Sequence, residues 1–290
     1  MRAFSYERPA HLDDAVALLA EHGPEGARLL AGGTDLIIRL RDGTLRPKVV
    51  VDVKRISEID GSIREAGDVL RIGARTTMTD IAADARIRRD YAALAEGAAV
   101  VGSVQIRNRA TLAGNICNAS PAADTSPALL VFGASVVLAG PAGERRVPLD
   151  GFFVRSGVTT LAPGELVVAI ELPLPSDARG STHVRRTRRR GHDLASVTLA
   201  CLVSADGVTR IAYGSLGPRP WLVIDEAGVL ADASASDAAK LERLEAMFVD
   251  ASPSSTLLRA SPDYRLAMLR VLGSRAVVAA GEQLRASGAA

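Results

Sequence analysis

A pair of adjacent glycines between two apolar runs constrains more than any other feature how this chain can fold. In LLAGGTDLIIRL (Leu29–Leu40) the first run has the character of a strand, and DLIIRL has the spacing of a helix's opening turns. Strand must therefore become helix at Gly32–Gly33. Glycine at such a bend lets main-chain N–H groups converge, because no Cβ blocks close approach or a positive φ. At a helix start the bend offers several donors together with the positive end of the helix dipole, a setting suited to phosphate or pyrophosphate. The same pair serves equally as an ordinary tight turn with Thr34 or Asp35 as the N-cap.

Absences narrow the choice of nucleotide. A dinucleotide fingerprint needs Gly-x-Gly, and no two glycines of the chain stand two apart. A P-loop needs Gly-Lys-Ser/Thr, and none of the lysines (Lys48, Lys54, Lys240) follows a glycine. Rossmann-type NAD binding and Walker-type NTP hydrolysis both fail on these counts.

The bend sits in an alternating pattern. AFSY, HLDDAVALLAEHG with Gly23 as its stop, ARLLAGG, TDLIIRLRDG and KVVVDV read as strand, helix, strand, helix and strand, a small α/β lobe ending near Ile59. A second lobe opens with a hairpin (GSIREAGDVLRIGA), followed by helices around Met78–Ala83 and Arg88–Val101. An irregular small-residue stretch, the apolar helix ALLVFG, and strands ASVVLAG, RRVPLD and ELVVAIELP complete it. The Pro-, Gly- and charge-rich segment Leu172–Ser181 is the best domain boundary. Beyond it, ASVTLACLVSADGVTRIAYGSLG alternates inward and outward residues around Asp206–Gly207, a hairpin signal. Helices are expected at Ile224–Leu230, Ser234–Val249 and Pro262–Arg285. The pattern is α/β to α+β in two domains.

Composition bounds the function. Aromatic residues make up only 3% of the chain, so Ala, Val, Leu and Ile must build the core. A net charge of +2 gives no global case for nucleic acid or an anionic membrane. RRTRRR (Arg185–Arg190) lacks interleaved aromatics and reads as a solvated strand edge or subunit contact. Cys117 and Cys201 share no metal-like spacing with the four histidines, which excludes a Cys-ligated cluster on this chain. His11 and His22 read as solvated, and His183 has no partner visible in the sequence. With no apolar leader segment and no 18-residue apolar run, the expected compartment is cytoplasmic, with no membrane insertion.

The second informative motif is QIRNRATLAGNICNASPAAD (Gln105–Asp124), with almost no bulky side chain beyond Thr111. A coil this rich in Ala, Gly, Asn and Ser buries little apolar area, so something else must order it. Thr111, Asn115 and Asn118 supply hydroxyl and amide donors, and Gly114 permits close backbone contact. A loop wrapping a polar ligand is expected.

LLAGGTDL paired with that motif resembles the FAD-binding medium subunit of the molybdenum hydroxylases, a family including aerobic carbon monoxide dehydrogenase and the flavin domain of xanthine dehydrogenase. RRGHDLASV, YGSLGPRP and ASPDYRLAMLRVL match later segments of the family in order, so the resemblance covers essentially the whole chain. It implies an α+β protein: a two-lobed FAD-binding domain of the vanillyl-alcohol-oxidase-like type (1–175, lobes about 1–60 and 61–175), then a smaller α/β C-terminal domain (176–290).

By the family's pattern Leu29, Leu30, Ala31, Gly32, Gly33, Thr34, Asp35 and Leu36 cradle the FAD pyrophosphate and adjoining ribitol. Thr111, Gly114 and Asn115 hold the phosphates from the other side. Asp124 lies on the polar part of the adenosine or ribityl chain, Val168 is an apolar position near the cofactor, and Arg185 is a basic position near the flavin ring. His192–Asp193 supplies a polar group by the isoalloxazine. The family's Gly-Gly-Asn is Ala113-Gly114-Asn115 here, and the added methyl could shift one phosphate contact.

The resemblance also implies an electron-transfer role without a catalytic side chain. Molybdopterin belongs to a large partner subunit and [2Fe–2S] clusters to a small one, in a dimer of heterotrimers. Electrons pass to the FAD and on to an external acceptor. The alternative is a self-contained FAD-dependent oxidoreductase of the same fold, with Tyr213 and His192 as the available catalytic material. A polyanion-binding module using RRTRRR ranks last.

Overall fold

The computed structural model describes residues 2–189, 191, 193–253 and 260–288. The first lobe follows the expected alternation: β1 (Ser5–Glu7), α1 (Leu12–Gly26), β2 (Ala27–Leu30), α2 (Leu36–Arg41) and β3 (Val49–Asp52). Its three strands are parallel in the order β1-β3-β2. The central strand is buried along its length, as its uninterrupted Val-Val-Val requires. Helix α1 loses helical geometry at Gly23 (φ 64°, ψ 178°), just before Pro24.

The second lobe is built on a five-stranded antiparallel sheet. It comprises β4 (Ile63–Ala66), β5 (Val69–Gly73), α3 (Met78–Ala83), α4 (Ala85–Asp90), α5 (Ala92–Ala99), α6 (Val104–Arg107), α7 (Leu112–Cys117), α8 (Thr125–Val131), β6 (Ser135–Gly140), β7 (Gly143–Pro148), the short pair β8 (Phe153–Arg155) and β9 (Val158–Thr159), and β10 (Leu166–Pro173). The sheet order is β4-β5-β10-β6-β7. One helix expected over Arg88–Val101 is two, because Tyr91 leaves helical geometry (φ −136°, ψ 47°) between them. Tyr91 is buried edge-to-face on Phe132, and its hydroxyl donates to the Pro173 carbonyl.

The third unit is a four-stranded antiparallel sheet, β11 (Arg179–Arg186), β12 (Val197–Ser204), β13 (Thr209–Gly214) and β14 (Trp221–Asp225), with helices α9 (Asp237–Met247) and α10 (Pro262–Gly288). The helix expected at Ile224–Leu230 is absent: Trp221–Asp225 completes the sheet beside β13, and backbone pairing overrode a short apolar run that fits either structure.

The alternation in β12 and β13 separates two cores rather than core from solvent. Val197, Leu199, Cys201, Ile211 and Tyr213 pack with α10 through Leu269, Leu272, Ala276 and Ala280. Ala200, Leu202 and Ala212 join the core of the first two lobes. Close approach of α10 depends on Gly180, where a Cβ would fall 2.5 Å from the Leu284 amide nitrogen and 3.0 Å from the Ala280 carbonyl carbon. No helix among the described residues is long and apolar enough to cross a membrane.

Candidate functional site

The two side-chain-poor bends lie against each other. A Cβ on Gly32 would fall 2.8 Å from the carbonyl carbon of Arg109, closer still to its oxygen, and 3.1 Å from Ala110 Cα. Only glycine lets β2 run into that backbone. A second contact spans the same gap: Arg39 donates to Asn118 Oδ1 (3.1 Å), and Asn118 Nδ2 donates to Asp35 Oδ1 (3.4 Å). Asn118, expected only as one of the loop's amide donors, thus clasps α2 to the end of α7.

The first bend carries unpaired donors. Gly33 has φ +80°, in the left-handed region that favours glycine. Ile37 donates back to the Gly33 carbonyl (3.0 Å), but the amides of Gly33, Thr34, Asp35 and Leu36 donate to no acceptor among the described residues. Asp35 is the N-cap of α2 without a side-chain cap bond, so the ordinary capping expected of Thr34 or Asp35 is not what shapes the turn. Helix α2 spans only six residues, and the amides themselves, more than an extended dipole, make this bend attractive to an anion. Leu29, Leu30, Ala31, Gly32, Gly33, Thr34 and Leu36 are half-buried and Asp35 is exposed.

The second bend is not the coil its composition suggested. Two short helices, α6 and α7, account for much of it, and Leu112, Ala113 and Ile116 reach the core. Thr111 is the N-cap of α7, its hydroxyl accepting from the Gly114 amide (3.1 Å), and it is tied to Thr77 by an isolated bridge. Three aliphatic anchors at helical spacing, diluted among Ala, Gly and Asn, order the segment. Gly114 itself is exposed and Asn115 half-buried beside it. Ala113 turns inward at 6% exposure, which places the methyl that departs from the family's pattern in the core. Cys117 ends α7, and burial pushes its thiol up to about 12.

The remaining expected positions fall into a connected chain, with one exception. Thr125 Oγ1 donates to Asn115 Oδ1 (2.7 Å), joining α8 to the second bend. Asp124 precedes it, is 7% exposed, and accepts from Arg185 Nη1 at 2.7 Å. Arg185 is thereby neutralised by the residue expected to share its site. Asp124 Oδ1 has no hydrogen-bond partner although it is buried. His183, whose partners sequence could not show, is buried with Nε2 2.9 Å from Thr198 Oγ1 and 3.6 Å from Asp124 Oδ1. Val168 sits at a register shift in β10, its carbonyl accepting from Ala74 (3.0 Å) two residues before Thr76, which in turn accepts from Leu112.

Asp193 stands apart. Its carboxylate faces Arg188 (3.3 Å) and Arg189 (3.9 Å), and the hydrogen bond from Arg188 holds it below the usual aspartate range. Arg186 donates to the Tyr264 hydroxyl (2.9 Å), so the arginine run is parcelled out among separate partners. His192 and Arg190 lie outside the described residues.

Two cavities lie away from the bends. One of about 710 Å³ sits on the outer face of the five-stranded sheet, with Arg71, Glu144, Arg146 and Glu171 among its walls. Those charges pair with one another and offer no apolar face to a ring. The other, about 400 Å³, lies between Arg186, Arg188, Ser196 and Tyr264.

A bend with unpaired amides, packed through Gly32 on the Arg109–Ala110 backbone, fits a phosphate-bearing cofactor, the chemistry of FAD. Comparison with known proteins supplies the class. Residues 2–175 match the family described as FAD binding domain in molybdopterin dehydrogenase, and residues 171–280 match the CO dehydrogenase flavoprotein C-terminal domain. The chain is 34% identical to the xanthine dehydrogenase FAD-binding subunit of Escherichia coli O157:H7, over 97% of this chain and 98% of that protein. It is 32% identical to the carbon monoxide dehydrogenase medium chain of Hydrogenophaga pseudoflava, over 96% of each. A solved structure of carbon monoxide dehydrogenase from that organism, lacking the Mo-pyranopterin moiety of its cofactor, superimposes with a TM-score of 0.88 at 30% identity, covering 97% of this chain and 98% of that one. The protein belongs to the family of FAD-binding subunits of molybdenum hydroxylases. It is an oxidoreductase flavoprotein, and its cofactor is FAD.

Proposed function

We propose that this chain is the electron-transfer subunit of a molybdenum hydroxylase complex, receiving electrons from iron–sulfur clusters on a small partner subunit and passing them to an external acceptor. Substrate oxidation then takes place at a molybdopterin centre on a large partner subunit, in a dimer of heterotrimers. The observation that carries the reading is the seating of Gly32 on the Arg109–Ala110 backbone, which brings the bend with four unpaired amides against the segment leading into α7.

In this reading the chain divides near residue 175 into a two-lobed FAD domain of the vanillyl-alcohol-oxidase-like type and a C-terminal domain. Leu29–Leu36 and Thr111, Gly114 and Asn115 bind the phosphates from opposite sides. Asp124 lies by the polar part of the adenosine or ribityl chain, while Val168 gives an apolar wall. Arg185, held by Asp124, sets a neutralised basic group near the ring, and Asp193 adds a polar group beside it. When bound, FAD supplies the redox chemistry itself, and the residues orient it and tune its potential. No side chain is assigned as nucleophile or general base.

The purified chain should be yellow and release FAD on denaturation. Its FAD should be reduced by the partner's clusters and not by small substrates alone. A colourless chain that cannot be reconstituted with FAD would overturn the assignment. Turnover of an organic substrate by the isolated chain would instead favour a self-contained oxidoreductase.

A further inference from the structure

Asn115 can present either its oxygen or its two N–H groups to a ligand, and a side chain outside the expected site determines which. Thr125 is fully buried in the first turn of α8, and its hydroxyl lies 2.7 Å from Asn115 Oδ1. A threonine hydroxyl has one hydrogen to give, and a buried donor left without an acceptor is costly. Among the described residues Asn115 Oδ1 is the acceptor that the Thr125 hydroxyl finds, and Asn115 Nδ2 donates to nothing. Turning the amide over would make Thr125 the acceptor, leave its hydrogen without that acceptor in the core, and present an oxygen where the N–H groups stood.

We infer that Thr125 is a positioning residue for flavin binding: it fixes the Asn115 amide so that both Nδ2 hydrogens face the cofactor phosphates. The inference rests on the proposed placement of Asn115 at the phosphates. A phosphate oxygen accepts hydrogen bonds and repels a carbonyl oxygen, so amide orientation changes the sign of this contact.

The test is titration of the deflavinated full chain with FAD, followed by quenching of flavin fluorescence, in a double-mutant cycle. Thr125→Val, which keeps the shape and removes the hydroxyl, should weaken FAD binding about tenfold when Asn115 is present. In the Asn115→Ala background the same change should cost less than about twofold. Thr125→Ser should recover most of the affinity. Asn115→Asp can still accept from Thr125 but gives no donor, and should lose FAD while the apoprotein keeps its melting temperature. Equal penalties for Thr125→Val in both backgrounds, or none in either, would overturn the positioning role while leaving Asn115 at the phosphates. Should Thr125→Val not fold, wild-type affinity in Asn115→Asp overturns the donor role by itself. If Asn115→Ala binds FAD normally, the placement at the phosphates fails, and the inference with it.

Discussion

Gly32 rests on the carbonyl of Arg109, with no room between them for even a methyl group. Residues far apart in sequence thus meet backbone to backbone, and the position of one bend is set by the other. Gly32→Ala should push the bends apart. Main-chain atoms are what the methyl meets, so a rotamer change cannot relieve it, and overpacking of this kind costs about 1–3 kcal/mol. The variant should show a lowered melting temperature together with substoichiometric FAD, read from the ratio of flavin to protein absorbance.

Gly33 makes a different prediction. Its surroundings are looser, since a Cβ there would stand 3.0 Å from Leu30 Cδ1 and 3.4 Å from Ile37 Cγ1, but its φ is +80°. A β-branched residue is strained there by about 1–3 kcal/mol. Gly33→Val should lose FAD, whereas Gly33→Asn, which tolerates left-handed backbone, should keep the apoprotein's stability near wild type. Full flavin content in Gly33→Val would remove the phosphates from this bend.

Asp124 and Arg185 form a part-buried pair, with Arg185 Nη1 2.7 Å from Asp124 Oδ2. Asp124→Ala leaves the half-buried guanidinium without its counter-charge, at a cost of about 1–3 kcal/mol. Urea denaturation of the apoprotein should register that loss even without flavin. An unchanged midpoint would mean that solvent reaches Arg185 freely.

Acid should act through Glu171. Burial raises its carboxyl, but hydrogen bonds from Arg146 (2.9 Å) and Arg71 (2.6 Å) outweigh burial and hold it below its ordinary 4.5. A depressed pKa means that the unfolded chain binds the proton more readily. The stabilisation is therefore present above pH 4.5 and disappears as pH falls through the lower folded-state value. Glu171→Gln should be less stable than wild type at neutral pH and converge with it in acid. Parallel stability curves across that range would contradict the ion-pair role.

The two bends were legible because each depends on local chemistry. The glycine pair between a strand and a helix and the small-residue run around Thr111–Asn115 are both properties of neighbouring residues. The short helices α6 and α7 were not legible: their aliphatic anchors are too few to show a period against so many small residues. Ile224 and Asp225, the expected start of a helix, end a strand instead, because only pairing with β13 distinguishes the two.

What the sequence determined by itself was the set of backbone permissions: where φ can be positive, where chain can approach chain, where a hydroxyl can cap a helix. Those follow from the presence or absence of a Cβ and from short-range hydrogen bonding. Tertiary structure alone decided which distant groups use them. It seated Gly32 on Arg109, joined Thr125 to Asn115, neutralised Arg185 with Asp124, and buried both faces of β12, because long-range contacts depend on packing that no local pattern encodes.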